Sequence, residues 1–157
     1  MTRTPLLSLA LIPALGSVAM TATRDQAASS PKPPGTNYKS PAFTFNKIAD
    51  GVYHAVGTGS LVVMSNAAII EGDRDVLVVH SHVSPGGAWG VREELKAVTP
   101  QPIRWVVNSH YHFDHSHGNQ IYGPEVEIIG HEFARAQILA GKSQDSPARE
   151  FFVGGVP

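Results

Sequence analysis

The chain contains no cysteine. That absence excludes disulfides, thiolate metal ligands and a cysteine nucleophile together. Charge of either sign is also lacking in excess: 12 Lys and Arg stand against 13 Asp and Glu, a formal net charge of −1. No basic block occurs, so the electrostatic footprint for nucleic acid is missing and no nucleic-acid partner is expected. A long unbroken apolar run is lacking too. The closest approach, Leu6 to Met20, is interrupted by Pro13 and Gly16 and is short for a membrane span. Arg3 precedes it, and Ser17-Val18-Ala19 and Met20-Thr21-Ala22 offer small residues for cleavage. Residues 1–22 therefore read as a secretory signal peptide, and a secreted or periplasmic protein without a stable membrane anchor is expected. An uncleaved anchor helix is the competing reading.

What is present begins after a linker. Residues 23–42 include Ala27-Ala28-Ser29-Ser30-Pro31-Lys32-Pro33-Pro34-Gly35, a run expected to be disordered or extended. The remainder, 43–157, suits one domain, with folding expected to start near Phe43. The whole chain is 157 residues long, and its 42% hydrophobic content can fill a core.

Short strands come first. Phe43–Lys47 alternates, Gly51–Val56 follows the Asp50-Gly51 turn, and Leu61–Met64, Ala67–Glu71 and Val76–Val79 come next. Turn signals at this spacing suggest an antiparallel meander. Val76–Val79 is apolar throughout, as an internal strand should be. Pro85-Gly86-Gly87 then opens a helix running to about Val98, with Ala88, Val91, Leu95 and Val98 facing a sheet. Arg92, Glu93, Glu94 and Lys96 read as a solvated face. The apolar run Ile103–Asn108 reads as a buried strand after that helix, which makes a parallel crossover. Val126–Ile129 is a further strand, and a helix runs from His131 to about Ala140.

The strand at 103–108 ends in the stretch that organises the chain, Ser109-His110-Tyr111-His112-Phe113-Asp114-His115-Ser116-His117-Gly118-Asn119. It holds four of the eight histidines. Neutral imidazole and carboxylate are the ligands that zinc and similar divalent ions take. His110 and His112 are two apart and point to one side of an extended backbone. Asp114 continues the alternation and His115 follows at a turn, so a loop is needed for convergence. Two ions fit this set: one on His110 and His112, the other on Asp114 and His115. The bland alternative is a histidine-rich surface loop that binds nothing.

The pattern His110-x-His112-x-Asp114-His115, trailed by Gly118-Asn119, resembles the signature of the metallo-β-lactamase superfamily. The earlier Gly51-Val52-Tyr53 and Asn66-Ala67-Ala68-Ile69-Ile70-Glu71-Gly72 resemble its opening. The resemblance implies an α/β (α+β) fold, the first half of an αββα sandwich with a mixed sheet flanked by helices. It implies one or two zinc ions, with iron or manganese as substitutes, held by His110, His112, Asp114 and His115. Asp114 would orient the attacking water or accept its proton. The implied reaction is hydrolysis of a small-molecule ester, thioester, lactam or phosphoester by metal-bound hydroxide. Tyr111 and Phe113 are expected to pack inward, and His117 and His131 are not expected to be ligands.

Two features depart from the family pattern. His80 stands where the family carries an aspartate that supports the metal site. The weightier reading of His80 and His82 is a drifted position or a half-buried histidine with a backbone partner; the other is an extra ligand. The family's second half brings a further histidine, a bridging carboxylate and a last histidine, and nothing after His131 matches them. The resemblance covers about residues 43–140, so the expectation is a shortened domain with weak activity alone. A second copy or a partner completing the fold is the alternative. A non-catalytic metal-binding module and an inert fragment are the competing readings of function.

Overall fold

A computed structural model describes Pro33 and residues 36–144. The proposed signal peptide, most of the linker and residues 145–157 lie outside the described residues. Six strands form one mixed sheet in chain order: β1 (Phe43–Ala49), β2 (Val52–Gly57), β3 (Ala67–Glu71), β4 (Val76–Val79), β5 (Ile103–Asn108) and β6 (Glu127–Gly130). Among the described residues three α-helices accompany them: α1 (Pro85–Glu94), α2 (Phe113–Ser116) and α3 (Glu132–Leu139). β1 to β4 pair antiparallel, as the closely spaced turn signals require. Asp50-Gly51 makes the first of these turns with Gly51 at φ +70°, and a Cβ there would stand 2.8 Å from the Glu71 carbonyl oxygen. From β4 onward the pairing is parallel, β4 to β5 and β5 to β6.

One face of this sheet is closed by α1. Ser84 caps the helix by accepting from the Gly87 N–H at 3.1 Å, and Pro85 occupies its first turn. Val91 and Leu95 are buried together with Ile69, Val76, Val78 and Val106 from the strands, and Ala88 is buried as well, the face expected from the spacing. Burying each Val, Leu or Ile contributes roughly 1.5–3 kcal/mol. The expected helix end near Val98 is reached through a tighter turn over Leu95–Ala97.

Three expectations are corrected. Leu61–Met64 is not a strand: both edges of β2, the strand just before it in the chain, are already taken by β1 and β3. It packs instead through Val63 against Gly57, which has no Cβ to obstruct it. The packed chain starts before Phe43, because Thr36 and Ala42 are buried and Tyr38 packs on the core. Glu94 is not part of a solvated face. Its carboxylate accepts the N–H groups of Ala42 and Phe43 at 2.8 and 3.0 Å, fastening the start of β1 to the end of α1.

Candidate metal centre

The parallel pairing of β4 and β5 brings their C-terminal ends to one edge, where open sheets of this kind build their sites. Val79 lies opposite Val107, and the His80 N–H donates to the Val107 carbonyl at 2.8 Å. The chain then turns sharply, with His80 at φ +74° and His82 at φ +66°. Left-handed backbone costs a side-chain-bearing residue on the order of 1 kcal/mol, and persists where surrounding contacts enforce it. Those contacts come from the histidine-rich loop. The Ser81 N–H donates to the His115 carbonyl at 2.8 Å, and the Gly118 N–H donates to the His82 carbonyl at 3.2 Å. A Cβ on Gly118 would fall inside the Ser81 carbonyl oxygen and against Ala88, so the Gly-Asn step is a close backbone approach.

The loop itself is partly helical. After His110 and an extended His112, α2 carries Asp114 and His115 on one short turn, and Ser116 ties it down by donating to the His112 carbonyl at 2.9 Å. The ligand atoms of His110, His112 and Asp114 lie within 4.8 Å of one another. Those of His80, His110 and His115 form a second such group. All four expected ligands are thus gathered, but their grouping differs from the expected division, since Asp114 lies with His110 and His112. His80 enters as a fifth member. Phe113 is buried, as expected, while Tyr111 is half-buried with its ring edge toward Phe133. His117 is in neither group, and its ring lies beside Phe113. His131 caps α3, its Nδ1 accepting the Phe133 N–H at 3.1 Å. His82 is more deeply placed than expected, at 0% exposure.

The hydrogen bonds fix proton positions. The Asp114 carboxylate can only accept, so His115 Nε2–H donates to it at 3.0 Å. A neutral His115 then accepts at Nδ1, from His80 Nδ1–H at 3.0 Å. His80 Nε2 accepts from the Ser109 hydroxyl at 2.7 Å, and Ser109 Oγ accepts from His110 Nδ1–H at 2.9 Å. This order leaves His110 Nε2 with a free lone pair. Beneath the site, Ser65 Oγ donates to the Asp114 carbonyl at 2.8 Å, so it must accept from His82 Nδ1–H at 3.1 Å. Ser65, Ser81 and Ser109 are supports that sequence reasoning passed over; an isolated serine carries no pattern that reveals such a partner.

Burial is the main reason the His115 imidazole is pushed down to about 4; the Asp114 charge opposes the shift, and His80, His110 and His112 add to it. Burial likewise pushes His82 down to about 4 and lowers His80. Neutral imidazole is the form that ligates metal. The donor set of imidazoles and one carboxylate, half-buried and converging at a strand tip, fits a borderline divalent ion such as zinc.

Residues 61–124 match the family model of the metallo-beta-lactamase superfamily. Over 100 residues the chain is 30% identical to the 2,4-dinitroanisole O-demethylase subunit alpha of Nocardioides sp. (strain JS1661), covering 62% of this chain and 26% of that protein. The fold is similar to the metallo-beta-lactamase FIM-1 from Pseudomonas aeruginosa in its mono-zinc form, with TM-score 0.56 and 21% identity over 67% of this chain and 48% of that one. A metallo beta lactamase from Hirschia baltica is similar at TM-score 0.53 and 22% identity, over 63% and 48% of the two chains. The chain therefore spans about half the length of these solved structures and about a quarter of the curated relative. The segment matched by the metallo-beta-lactamase superfamily model runs through both the His80 turn and the His110–His115 loop, and the fold of the chain resembles that of the metallo-beta-lactamases.

Proposed function

We propose that this chain is a metal-dependent hydrolase whose zinc is held by His110, His112, Asp114 and His115. One observation carries the reading: the ligand atoms of His110, His112 and Asp114 converge within 4.8 Å at the tip of β5. The match of residues 61–124 to the metallo-beta-lactamase superfamily model supports it. A divalent metal at this position supplies Lewis acidity, polarising the scissile group and acidifying a water. Asp114 is the proposed proton acceptor. His115 engages its Oδ2, and the side chain is a quarter exposed. Ser65 and His82 hold the Asp114 backbone in place from below.

The proposed substrates are small molecules with an ester, thioester, lactam or phosphoester bond. The name of the curated relative adds an aryl methyl ether to that range. The test is turnover by the full chain, with and without zinc, of a chromogenic β-lactam, a p-nitrophenyl ester, a thioester, bis-p-nitrophenyl phosphate and 2,4-dinitroanisole. Turnover of at least one substrate is expected, abolished by a chelator and restored by zinc. Asp114→Asn is expected to lower kcat by about 10²–10⁴-fold. Zinc binding with no turnover of any of the five would replace this reading with that of a non-catalytic metal-binding module. Export is proposed alongside, on the apolar pattern of residues 1–22; mass analysis of the exported protein would then give a new N-terminus near residue 23.

A further inference from the structure

We infer that His80 is itself a metal ligand, completing with His110 and His115 a three-imidazole site that this segment builds from its own residues. The inference rests on the proposal that the His110–His115 loop binds zinc, and adds a residue from a different strand to that site. Three observations carry it. The ligand atoms of His80, His110 and His115 lie within 4.8 Å of one another. The Nδ1 atoms of His80 and His115 stand 3.0 Å apart. Two nitrogens sharing a tetrahedral zinc at about 2.0–2.1 Å each would be separated by roughly 3.3 Å, so the two rings are already near that spacing. The third observation is the backbone. His80 holds φ +74°, and the loop's hydrogen bonds to Ser81 and His82 pin the turn that carries it. A turn that served packing alone would be better made by glycine.

The change on binding involves one proton. Without metal, His80 carries its proton on Nδ1 and donates it to His115. With metal, His80 carries the proton on Nε2 and donates it to Ser109 Oγ, whose own hydroxyl proton then points elsewhere. Both facing Nδ1 lone pairs are then free for the cation. Ser109 can serve in both arrangements because a hydroxyl both donates and accepts. An aspartate at position 80 would instead accept from His115 and support it without joining a set of three imidazoles.

The test is calorimetric zinc titration of the full chain, with the cobalt(II) absorption spectrum as a second readout. His80→Asn is the informative variant, since Asn tolerates left-handed backbone and carries no imidazole. His80→Gly is the second, since it suits φ +74° better still. With either variant shown to be folded by circular dichroism, zinc affinity is expected to fall by at least about tenfold, the lower end of what losing even a supporting partner costs. The cobalt bands are expected to shift as one nitrogen donor is lost. The double variant His110→Ala and His112→Ala is expected to abolish binding. If both position-80 variants bind zinc as tightly as the parent while the double variant binds none, His80 is not a ligand and the loop reading stands. If the parent binds no zinc, both fall.

Discussion

At the scale of single residues, the site depends on hydroxyls that carry no chemistry of their own. Ser65 links the buried His82 ring to the Asp114 backbone, donating to one and accepting from the other. Ser65→Ala would leave His82 Nδ1–H unpaired at a residue with 0% exposure. A buried donor without a partner costs about 1–3 kcal/mol, so the unfolding free energy of the variant is expected to fall by that amount, with a matching drop in its urea midpoint. An unchanged midpoint would mean that His82 finds another acceptor. The clustered residues of the candidate site were legible in the sequence because four histidines in eight positions after an apolar run are rare without a purpose. His80 and Ser65 were not, because their partners are distant in sequence. His80 meets His115 35 positions away, and Ser65 meets Asp114 49 positions away.

Among the elements, α1 does two tasks. Its apolar side covers the sheet, and its last residue, Glu94, holds the chain that enters β1. The spacing of Ala88, Val91 and Leu95 announced the first task plainly. The second was hidden, because a glutamate on a helix reads as solvated until the chain 50 positions earlier is seen to pass by it. Glu94→Ala is expected to cost about 1.5–3 kcal/mol, the range for hydrogen bonds to a charged group, measured by denaturant unfolding. Tyr38 reports on the same junction. Burial pushes its hydroxyl up to about 12, and the hydrogen bond to Glu94 and the charges of Glu94 and Glu93 add to the shift. The folded chain therefore keeps a proton that the unfolded chain loses above pH 10. Stability is full below pH 10 and declines as pH rises toward 12. Melting temperatures at pH 9 and pH 11 are expected to differ less in Tyr38→Phe than in the parent. The run Leu61–Met64 misled for the opposite reason: its composition suits a strand, but strand formation needs a free edge, which composition does not record.

Across the whole molecule, the two faces of the sheet are unequal. Ile69 is fully buried under α1, while its neighbour Ile70 is 43% exposed on the other face. The cross-strand pairs Ile70–Leu77 and Leu77–Trp105 continue that second face across the sheet, and Val79–Val107 and Val107–Ile129 run beside them. Ile69→Ala is expected to cost about 2–5 kcal/mol, the range for truncating a buried Ile, and Ile70→Ala under about 1 kcal/mol. Equal costs in urea unfolding would mean that the second face is covered in solution. The mixed character of the sheet was legible, since closely spaced turns and a crossover helix imply antiparallel and then parallel pairing; the order of the strands was not.

The join of β4 to β5 has one more consequence. An ion gripped by both His80 and His115 would staple together two pieces of chain that are otherwise held by a few backbone and side-chain hydrogen bonds at the sheet's rim. Its grip would count toward the folding equilibrium, by about 2.7 kcal/mol at a hundredfold excess of free ion over Kd. Scarcity of the ion would then be felt first as a shorter lifetime of the protein, and only afterwards as lost turnover.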